Sequence, residues 1–187
     1  ALQVPHSGES LTFAELDARA EAVAAALSAY VTGPDQVVGV AMAQDNWQIV
    51  AAHLGILKAG GVQSPINTAY LGDFLSWVIN LPRARFLIIS DEFLDRLDFI
   101  AADLHHLEQV FVWESGRASG PAPSLRWEPL SALFDSPDAE PDVEVGWTDD
   151  ARVMFTSGTT GRSKGAVKQH GSDYFSGRTY NNVCEVT

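Results

Sequence analysis

Two uninterrupted apolar segments most strongly constrain the fold of this chain of 187 residues. Residues 37–43 (VVGVAMA) and 86–90 (FLIIS) lack the polar alternation of a half-solvated strand, so each is expected to be a strand buried on both faces. Helically spaced apolar residues lie before, between and after these segments, and parallel strands need such crossover connections. The sequence therefore predicts an α/β fold: a mostly parallel sheet flanked by helices.

The remaining elements follow from capping and breaking residues. Thr12 and Glu15 form a capping-box pattern that predicts the start of a helix ending near Gly33-Pro34. Residues 62–66 are expected to be extended but not a central strand, because Pro65 lacks an N–H for the ladder. The other predicted elements are helices near 46–60, 73–81 and 92–106, strands at 110–113 and 152–155, and at most a short helix at 130–134.

Charge divides the chain into three parts. Residues 1–150 carry 22 acids and 7 bases, whereas residues 151–187 carry 2 acids and 5 bases, within a net charge of -12. Seven of the acids fall in residues 135–150, together with Pro137 and Pro141, which predicts an exposed connection. We therefore divide the chain into a subdomain at 1–134, an acidic linker at 135–150 and the start of another subdomain at 151–187.

Composition excludes some functions. A pI near 4.6 argues against a general nucleic-acid binder, because phosphate backbones require a basic face. The longest apolar run, residues 37–43, is too short for a transmembrane segment. The single cysteine, Cys184, fits a reducing compartment, so we expect a cytoplasmic protein.

The chemistry is concentrated in residues 156–165, TSGTTGRSKG, which follow a predicted strand. Gly158 and Gly161 allow the backbone to approach a ligand closely, and successive N–H groups in such a turn can converge on an anion. They are accompanied by two cations, Arg162 and Lys164, and by the hydroxyl groups of Thr156, Ser157, Thr159 and Thr160. Because ligands of open α/β sheets bind beyond the carboxyl ends of strands, this segment predicts a polyphosphate site.

Two well-known phosphate motifs do not match this segment. The Walker loop requires Gly before and Ser or Thr after its lysine, whereas Lys164 lies between Ser163 and Gly165. The dinucleotide fingerprint requires G-x-G-x-x-G, whereas the first two glycines here are spaced G-x-x-G. The remaining alternative is a hydrophilic surface turn without a ligand.

Three segments, in this order, resemble the adenylate-forming (ANL) superfamily of acyl-CoA synthetases, peptide-synthetase adenylation domains and luciferases. They are LTFAELDARA (residues 11–20), LGILKAGGVQSPIN (residues 54–67) and TSGTTGRSKG. The superfamily usually has proline at the position of Ser163, so the loss of a fixed φ is expected to leave this loop more mobile. Thr159 and Asn67 look more like acyl- or aryl-CoA ligases than like amino-acid adenylation domains.

The resemblance implies an AMP-forming acid–thiol ligase. A small-molecule carboxylate, for example a fatty acid, would react with ATP to give an acyl-adenylate and then a thioester with coenzyme A, with Mg²⁺ as the metal cofactor. Lys164 would steady the loop or the phosphates, and His170 would be a candidate lining residue of the active site. The residues that would surround the β- and γ-phosphates are Thr156, Ser157, Gly158, Thr159, Thr160 and Gly161.

The resemblance also implies that the catalytic residues, the magnesium-binding acid and a mobile C-terminal domain lie downstream of Thr187. We therefore interpret the chain as the N-terminal part of the large domain of such an enzyme, inactive alone, with no metal ligand of its own. Its apolar surface is expected to pack against the C-terminal part or to self-associate. Two alternatives stay open: a peptide-synthetase-type adenylation domain, and a truncated non-catalytic scaffold module.

Overall fold

The computed structural model describes residues 2–5, 7–31, 36–41, 46–117, 125–135, 143–156 and 162–184, with the backbone alone for 180–184. The strands are β1 (Leu2–Gln3), β2 (Ser10–Leu11), β3 (Val37–Ala41), β4 (Val62–Pro65), β5 (Phe86–Ser90), β6 (Gln109–Trp113), β7 (Trp127–Pro129), β8 (Asp150–Thr156) and β9 (Lys164–Gln169). The helices are α1 (Phe13–Ser28), α2 (Trp47–Lys58), α3 (Gly72–Asn80), α4 (Leu94–Ile100) and α5 (His170–Cys184), with short 3-10 turns at Asp91–Phe93, Ala101–Asp103 and Leu130–Leu133.

Seven of these strands form one sheet in the order β7-β6-β5-β3-β4-β8-β9. All neighbours are parallel except β8 and β9, which form an antiparallel pair. The β1 and β2 strands form a separate antiparallel ribbon. The predicted α/β fold with a mostly parallel sheet is confirmed.

Alternate residues of the buried strands face two helical layers. Phe86 and Ile88 of β5 pack with α1, α2 and the last 3-10 turn, whereas Leu87 and Ile89 pack with α3 and α4. This two-sided burial explains why residues 86–90 are apolar without alternation. The sheet is therefore covered on both faces, as predicted.

Helix ends agree with their local sequence. The capping box at Thr12 is present: its hydroxyl accepts from the Glu15 N–H, and the Glu15 carboxylate accepts from the Thr12 N–H at 2.7 Å. At the end of α2, Gly60 adopts φ +74°, and the N–H groups of Gly60 and Gly61 donate to the carbonyls of Leu57 and Ile56. This is the Schellman arrangement, which needs a left-handed residue at the position of Gly60.

The expectation that residues 62–66 form no central strand is wrong. The β4 strand lies between β3 and β8. The Val62 and Ile66 N–H groups donate to carbonyls on the β3 side, so Pro65 faces the β8 side. On that side β4 pairs with β8 only at Gln63, opposite Arg152, so the missing N–H of Pro65 breaks no ladder hydrogen bond.

The helix predicted at 92–106 ends earlier than expected, because the side chain of Asn80 in α3 hydrogen-bonds to the backbone that follows α4. Asn80 donates from its amide to the Asp103 carbonyl at 2.7 Å and accepts from the His105 N–H at 3.1 Å. These two bonds replace the helical ladder just after α4 and its 3-10 turn.

The last strands belong to the sheet built by the first part of the chain. Both β8 and β9 extend that sheet, although the chain reaches β8 through the acidic residues 135–150, of which 136–142 lie outside the described residues. The division at 135–150 into two subdomains stays a prediction. Within the described ranges, no helix combines the length and apolarity needed to cross a membrane.

Candidate functional site

The TSGTTGRSKG segment joins the carboxyl end of β8 to the start of β9. Thr156 and Lys164, its two predicted site residues with described positions, are register partners across the antiparallel pair. The predicted phosphate-binding residues Ser157, Gly158, Thr159, Thr160 and Gly161 lie outside the described residues. The structure thus brings together the two ends of the segment at the sheet edge where α/β proteins bind ligands.

Ser163 closes the segment at its base. Its Oγ donates to the Thr156 carbonyl at 2.6 Å, and Ser163 is only 2% exposed. The carbonyl of Ser163 accepts from Trp77 Nε1 of α3 at 3.0 Å. Ser163 itself is therefore held by two hydrogen bonds, one of which proline could not make. The expected mobility of the loop concerns residues 157–161, which lie outside the described residues, and stays a prediction.

Two exposed cations flank this base. Arg162 lies with its guanidinium carbon 4.9 Å from the centre of the Trp77 ring, and Lys164 begins β9. Among the described residues, neither cation lies within ion-pair distance of a carboxylate. In a chain of net charge -12, two such cations beside one glycine-rich segment give a locally positive surface, which is suited to an anion.

His170 lies away from this cation pair. It is the first residue of α5, six positions after Lys164, which corresponds to about 20 Å along an extended strand. Its N–H donates to the Asp149 carbonyl at 3.1 Å, before the amino end of β8. The structure therefore does not bring His170 next to Lys164, and its predicted place in the active-site lining stays a prediction.

Apart from the TSGTTGRSKG segment, a cavity of about 330 Å³ lies at the carboxyl ends of β3 and β4. Its lining includes His53 of α2, whose Nδ1 accepts from the Gln63 amide when that amide is oriented with its nitrogen toward the ring. In the same orientation Gln63 Oε1 accepts from Arg152 Nη2 at 2.9 Å and Nε at 3.1 Å, and Arg152 Nη2 lies 2.9 Å from Asp173 Oδ2. A chain of polar side chains thus crosses the molecule from α2 to α5.

This arrangement keeps His53 neutral. Burial, chiefly, and the nearby Arg152 charge lower the pKa of His53 to about 4, and a hydrogen bond accepted by Nδ1 likewise favours the neutral ring. At neutral pH the imidazole therefore faces the cavity without a charge. It carries its proton on Nε2, because Nδ1 is occupied as an acceptor.

The described residues contain no candidate metal centre. No three side chains of the types His, Cys, Asp and Glu come together there in a way that could hold a metal ion. The described side chains at this place are suited to an anion and not to a divalent cation: they are Arg162, Ser163 and Lys164 of the segment and the adjacent Trp77.

Sequence reasoning missed the contacts of Trp77, His53 and Gln63. Trp77 is one of five tryptophans scattered along the chain, and 86 residues separate it from Ser163. His53 and Gln63 occupy positions that helical and strand spacing predict to be ordinary parts of α2 and β4. The polar Gln63 in a short predicted extended segment was a local signal, since a buried amide needs partners.

Comparisons with known proteins identify the family of the chain. Residues 1–186 match the family described as AMP-binding enzyme. The chain is 30% identical over 162 residues to the nonribosomal peptide synthetase ecdA of Aspergillus rugulosus, covering 87% of this chain and 2% of that protein.

Solved structures show the same fold. The anthranilate CoA ligase AuaEII in complex with anthranoyl-AMP superposes with a TM-score of 0.79 and 25% identity, covering 91% of this chain and 32% of that one. A putative long-chain-fatty-acid CoA ligase from Rhodopseudomonas palustris CGA009 has a TM-score of 0.81 and 20% identity, which speaks for the fold alone, over 97% of this chain and 43% of that one.

The chain thus spans less than half of each of these relatives. The predicted resemblance to adenylate-forming enzymes is confirmed, whereas the relatives include both CoA ligases and a peptide synthetase. Family match, fold and the position of the TSGTTGRSKG segment lead to one conclusion: this chain belongs to the AMP-binding enzyme family.

Proposed function

We propose that this protein activates a carboxylate with ATP. A carboxylate oxygen attacks the α-phosphorus, the bond from that phosphorus to the bridging oxygen breaks, and pyrophosphate leaves, giving an acyl-adenylate. The observation that carries the proposal is the TSGTTGRSKG segment, whose ends Thr156 and Lys164 are paired at the carboxyl edge of the sheet. AuaEII, with a similar fold, holds an acyl-adenylate of this type.

The segment acts by holding the leaving group. Charge builds up on the departing pyrophosphate, so donors and cations fixed beside it lower the barrier. Hydrogen bonds to charged groups contribute about 1.5–3 kcal/mol each, so two or three of them suffice to hold a triphosphate. We propose that Lys164 contacts the phosphates or steadies the segment, and that the residues around the β- and γ-phosphates are Thr156, Ser157, Gly158, Thr159, Thr160 and Gly161.

Magnesium is a further component that we propose for the reaction, since Mg²⁺ commonly binds substrate phosphates with few protein ligands. The described residues offer it no cluster of acidic or imidazole ligands. We therefore assign it no residue of this chain and derive no step through it.

We propose coenzyme A as the acceptor. Its thiol would attack the acyl carbon, lose its proton, and displace AMP from the adenylate. The proposal is supported by Thr159 and Asn67, which resemble acyl- and aryl-CoA ligases, and by the fold shared with AuaEII.

The second candidate is an amino-acid-activating adenylation domain. It is favoured by the 30% identity to the peptide synthetase ecdA. Both candidates share the first step and differ in the carboxylate and in the thiol that receives the acyl group.

Pyrophosphate exchange into ATP tests the first step in the complete gene product. We expect exchange that depends on one class within a panel of fatty acids, aryl acids and amino acids. Addition of coenzyme A should then give a thioester if the acceptor is assigned correctly. Exchange with amino acids alone, and no thioester, would support the second candidate; no exchange with any acid would indicate a non-catalytic scaffold.

A further inference from the structure

Trp77 of α3 contacts two consecutive residues of the TSGTTGRSKG segment in different ways. Its indole N–H donates to the Ser163 carbonyl at 3.0 Å. Its ring lies beneath the Arg162 guanidinium, with 4.9 Å between the guanidinium carbon and the ring centre. One side chain therefore fixes both the backbone of the segment and one of its two cations.

The helix that carries Trp77 is itself well anchored. Leu75, Val78 and Ile79 of α3 are at most 5% exposed and belong to the core beneath the sheet. The chain just after α3 also approaches the hairpin, because a Cβ at Gly165 would lie 3.8 Å from Leu81 Cδ2. Trp77 thus connects the segment to a helix that is anchored in the core.

Ser163 ties the same point to β8. Its hydroxyl donates to the Thr156 carbonyl, so the two ends of the segment are joined independently of the ladder between β8 and β9. In adenylate-forming enzymes a proline commonly occupies this position and restrains φ through its ring. In this chain a buried side-chain hydrogen bond takes over that restraint.

We propose that Trp77 is a positioning residue that presets the Arg162 guanidinium for contact with the polyphosphate, with Ser163 as the fixed point between them. The inference rests on the proposed function of the segment. A free arginine loses much rotamer freedom when it binds an anion, whereas a guanidinium already stacked on an indole loses less. Arg162 therefore becomes the second phosphate-binding cation beside Lys164.

The test uses initial rates of pyrophosphate exchange by the complete gene product at varied ATP and at varied carboxylate. Trp77→Phe keeps the ring but removes the N–H, and we expect the KM for ATP to rise about fivefold. Trp77→Leu removes both contacts, so we expect a rise of about tenfold or more, with the KM for the carboxylate unchanged. Trp127→Phe, at an exposed tryptophan of β7, is the matched control.

Combining substitutions at Trp77 and Arg162 tests whether Trp77 acts through Arg162. Arg162→Gln should raise the KM for ATP, and in that background Trp77→Leu should raise it no further than Trp77→Phe does, because the ring contact that distinguishes these two variants acts through Arg162. Ser163→Ala should raise the KM for ATP, whereas Ser163→Pro should restore it to within about twofold of the wild-type value. Melting temperatures of all variants show whether the fold is kept, and Trp77→Phe is the mildest of them.

The outcomes separate two claims. If Lys164→Ala leaves the KM for ATP unchanged, the proposed function fails. If Lys164→Ala raises it while Arg162→Gln and Trp77→Phe have no effect, the segment binds phosphate and the present inference is wrong. A fall in kcat with both KM values unchanged in Trp77→Leu would likewise overturn it, because Trp77 would then support the fold and not the cation.

Discussion

The half-buried His53 has a strongly lowered pKa. His53 loses most of its contact with water and accepts a hydrogen bond from Gln63, while the positive Arg152 lies beyond that amide. Burial, the largest effect, and the like charge of Arg152 both lower the pKa of His53 and so disfavour the protonated ring. The folded protein therefore holds His53 as a neutral acceptor.

This predicts a loss of stability at mildly acidic pH. The pKa of His53 is about 4 in the folded state and about 6.5 in the unfolded chain, so the unfolded state binds more protons between these values. The contribution is fully present above pH 6.5 and declines as pH falls toward 4. Between pH 7.5 and pH 5 the free energy of unfolding should drop by about 2 kcal/mol from this group.

Urea unfolding at several pH values measures the effect. His53→Gln should flatten the decline relative to the wild-type protein, whereas the exposed His106→Gln should not. Equal pH dependence in wild type and His53→Gln would contradict the assignment. The comparison between variants also removes the background from the many surface carboxylates.

For single residues, the sequence predicts which side chains are candidates for a site better than which residues those side chains contact. Arg162 and Lys164 could be identified as anion-binding cations from their place beside two glycines. The stacking of Arg162 on Trp77 could not, because it depends on how α3 crosses the hairpin, and no local pattern encodes that crossing. For the same reason the sequence could not predict the hydrogen bond between Ser163 and Trp77.

Helices α1 and α2 cross each other closely at Gly55. A Cβ at Gly55 of α2 would lie 2.5 Å from Val23 Cγ1 and 2.9 Å from the Ala20 carbonyl oxygen of α1. Lys58 of α2 joins the same pair of helices through Asp17 at 2.8 Å and Glu21 at 3.2 Å. Glycine is needed at position 55 because the two backbones nearly touch.

We therefore expect Gly55→Ala to destabilise the fold by about 2–3 kcal/mol, as overpacked cores do. The Ala20 carbonyl belongs to the backbone and cannot rotate away, so the helices must separate. Gly177→Ala is the matched control, because a Cβ there meets nothing within 4 Å on an exposed face of α5. Thermal unfolding should show a lower Tm for the first and an equal or higher Tm for the second; an unchanged Tm in Gly55→Ala would contradict the close crossing.

Elements with a strong apolar pattern could be predicted and weakly patterned ones could not. The strand at residues 86–90 and the helix near 73–81 were found within one residue of their observed bounds. The β9 strand was missed because KGAVKQ is an exposed edge strand with little apolar content, and α5 because its sequence shows no apolar stripe. The edge strand β7 has three residues, too few for a period to emerge.

At the scale of the molecule, three exposed aromatic side chains form a cluster next to the last strands. Trp147, Tyr174 and Phe175 are 61%, 52% and 61% exposed and contact each other with ring centres 5.1–6.0 Å apart. Val167, 56% exposed, lies nearby in sequence on β9, the strand at one edge of the sheet. Apolar patches and open strand edges both favour association with another surface.

The 187-residue chain alone is therefore expected to self-associate at micromolar concentration. Combined replacement of Trp147 and Phe175 by serine should shift the sedimentation profile toward monomer. Phe99→Ser changes an aromatic residue of α4 that is 82% exposed and away from this patch, and should not. A wild-type chain that sediments as one monomeric species would contradict the prediction.

ATP affinity tests the central claim most directly, namely that the TSGTTGRSKG segment holds the phosphates. We would measure the Kd for ATP by calorimetry with the complete gene product, in wild type and in Gly158→Ala combined with Lys164→Ala. Loss of a charged contact and of a close backbone approach should weaken binding about tenfold to a hundredfold. Lys168→Ala, on the same strand and paired with Asp173, should bind ATP like wild type. An unchanged Kd in the double variant would contradict the account.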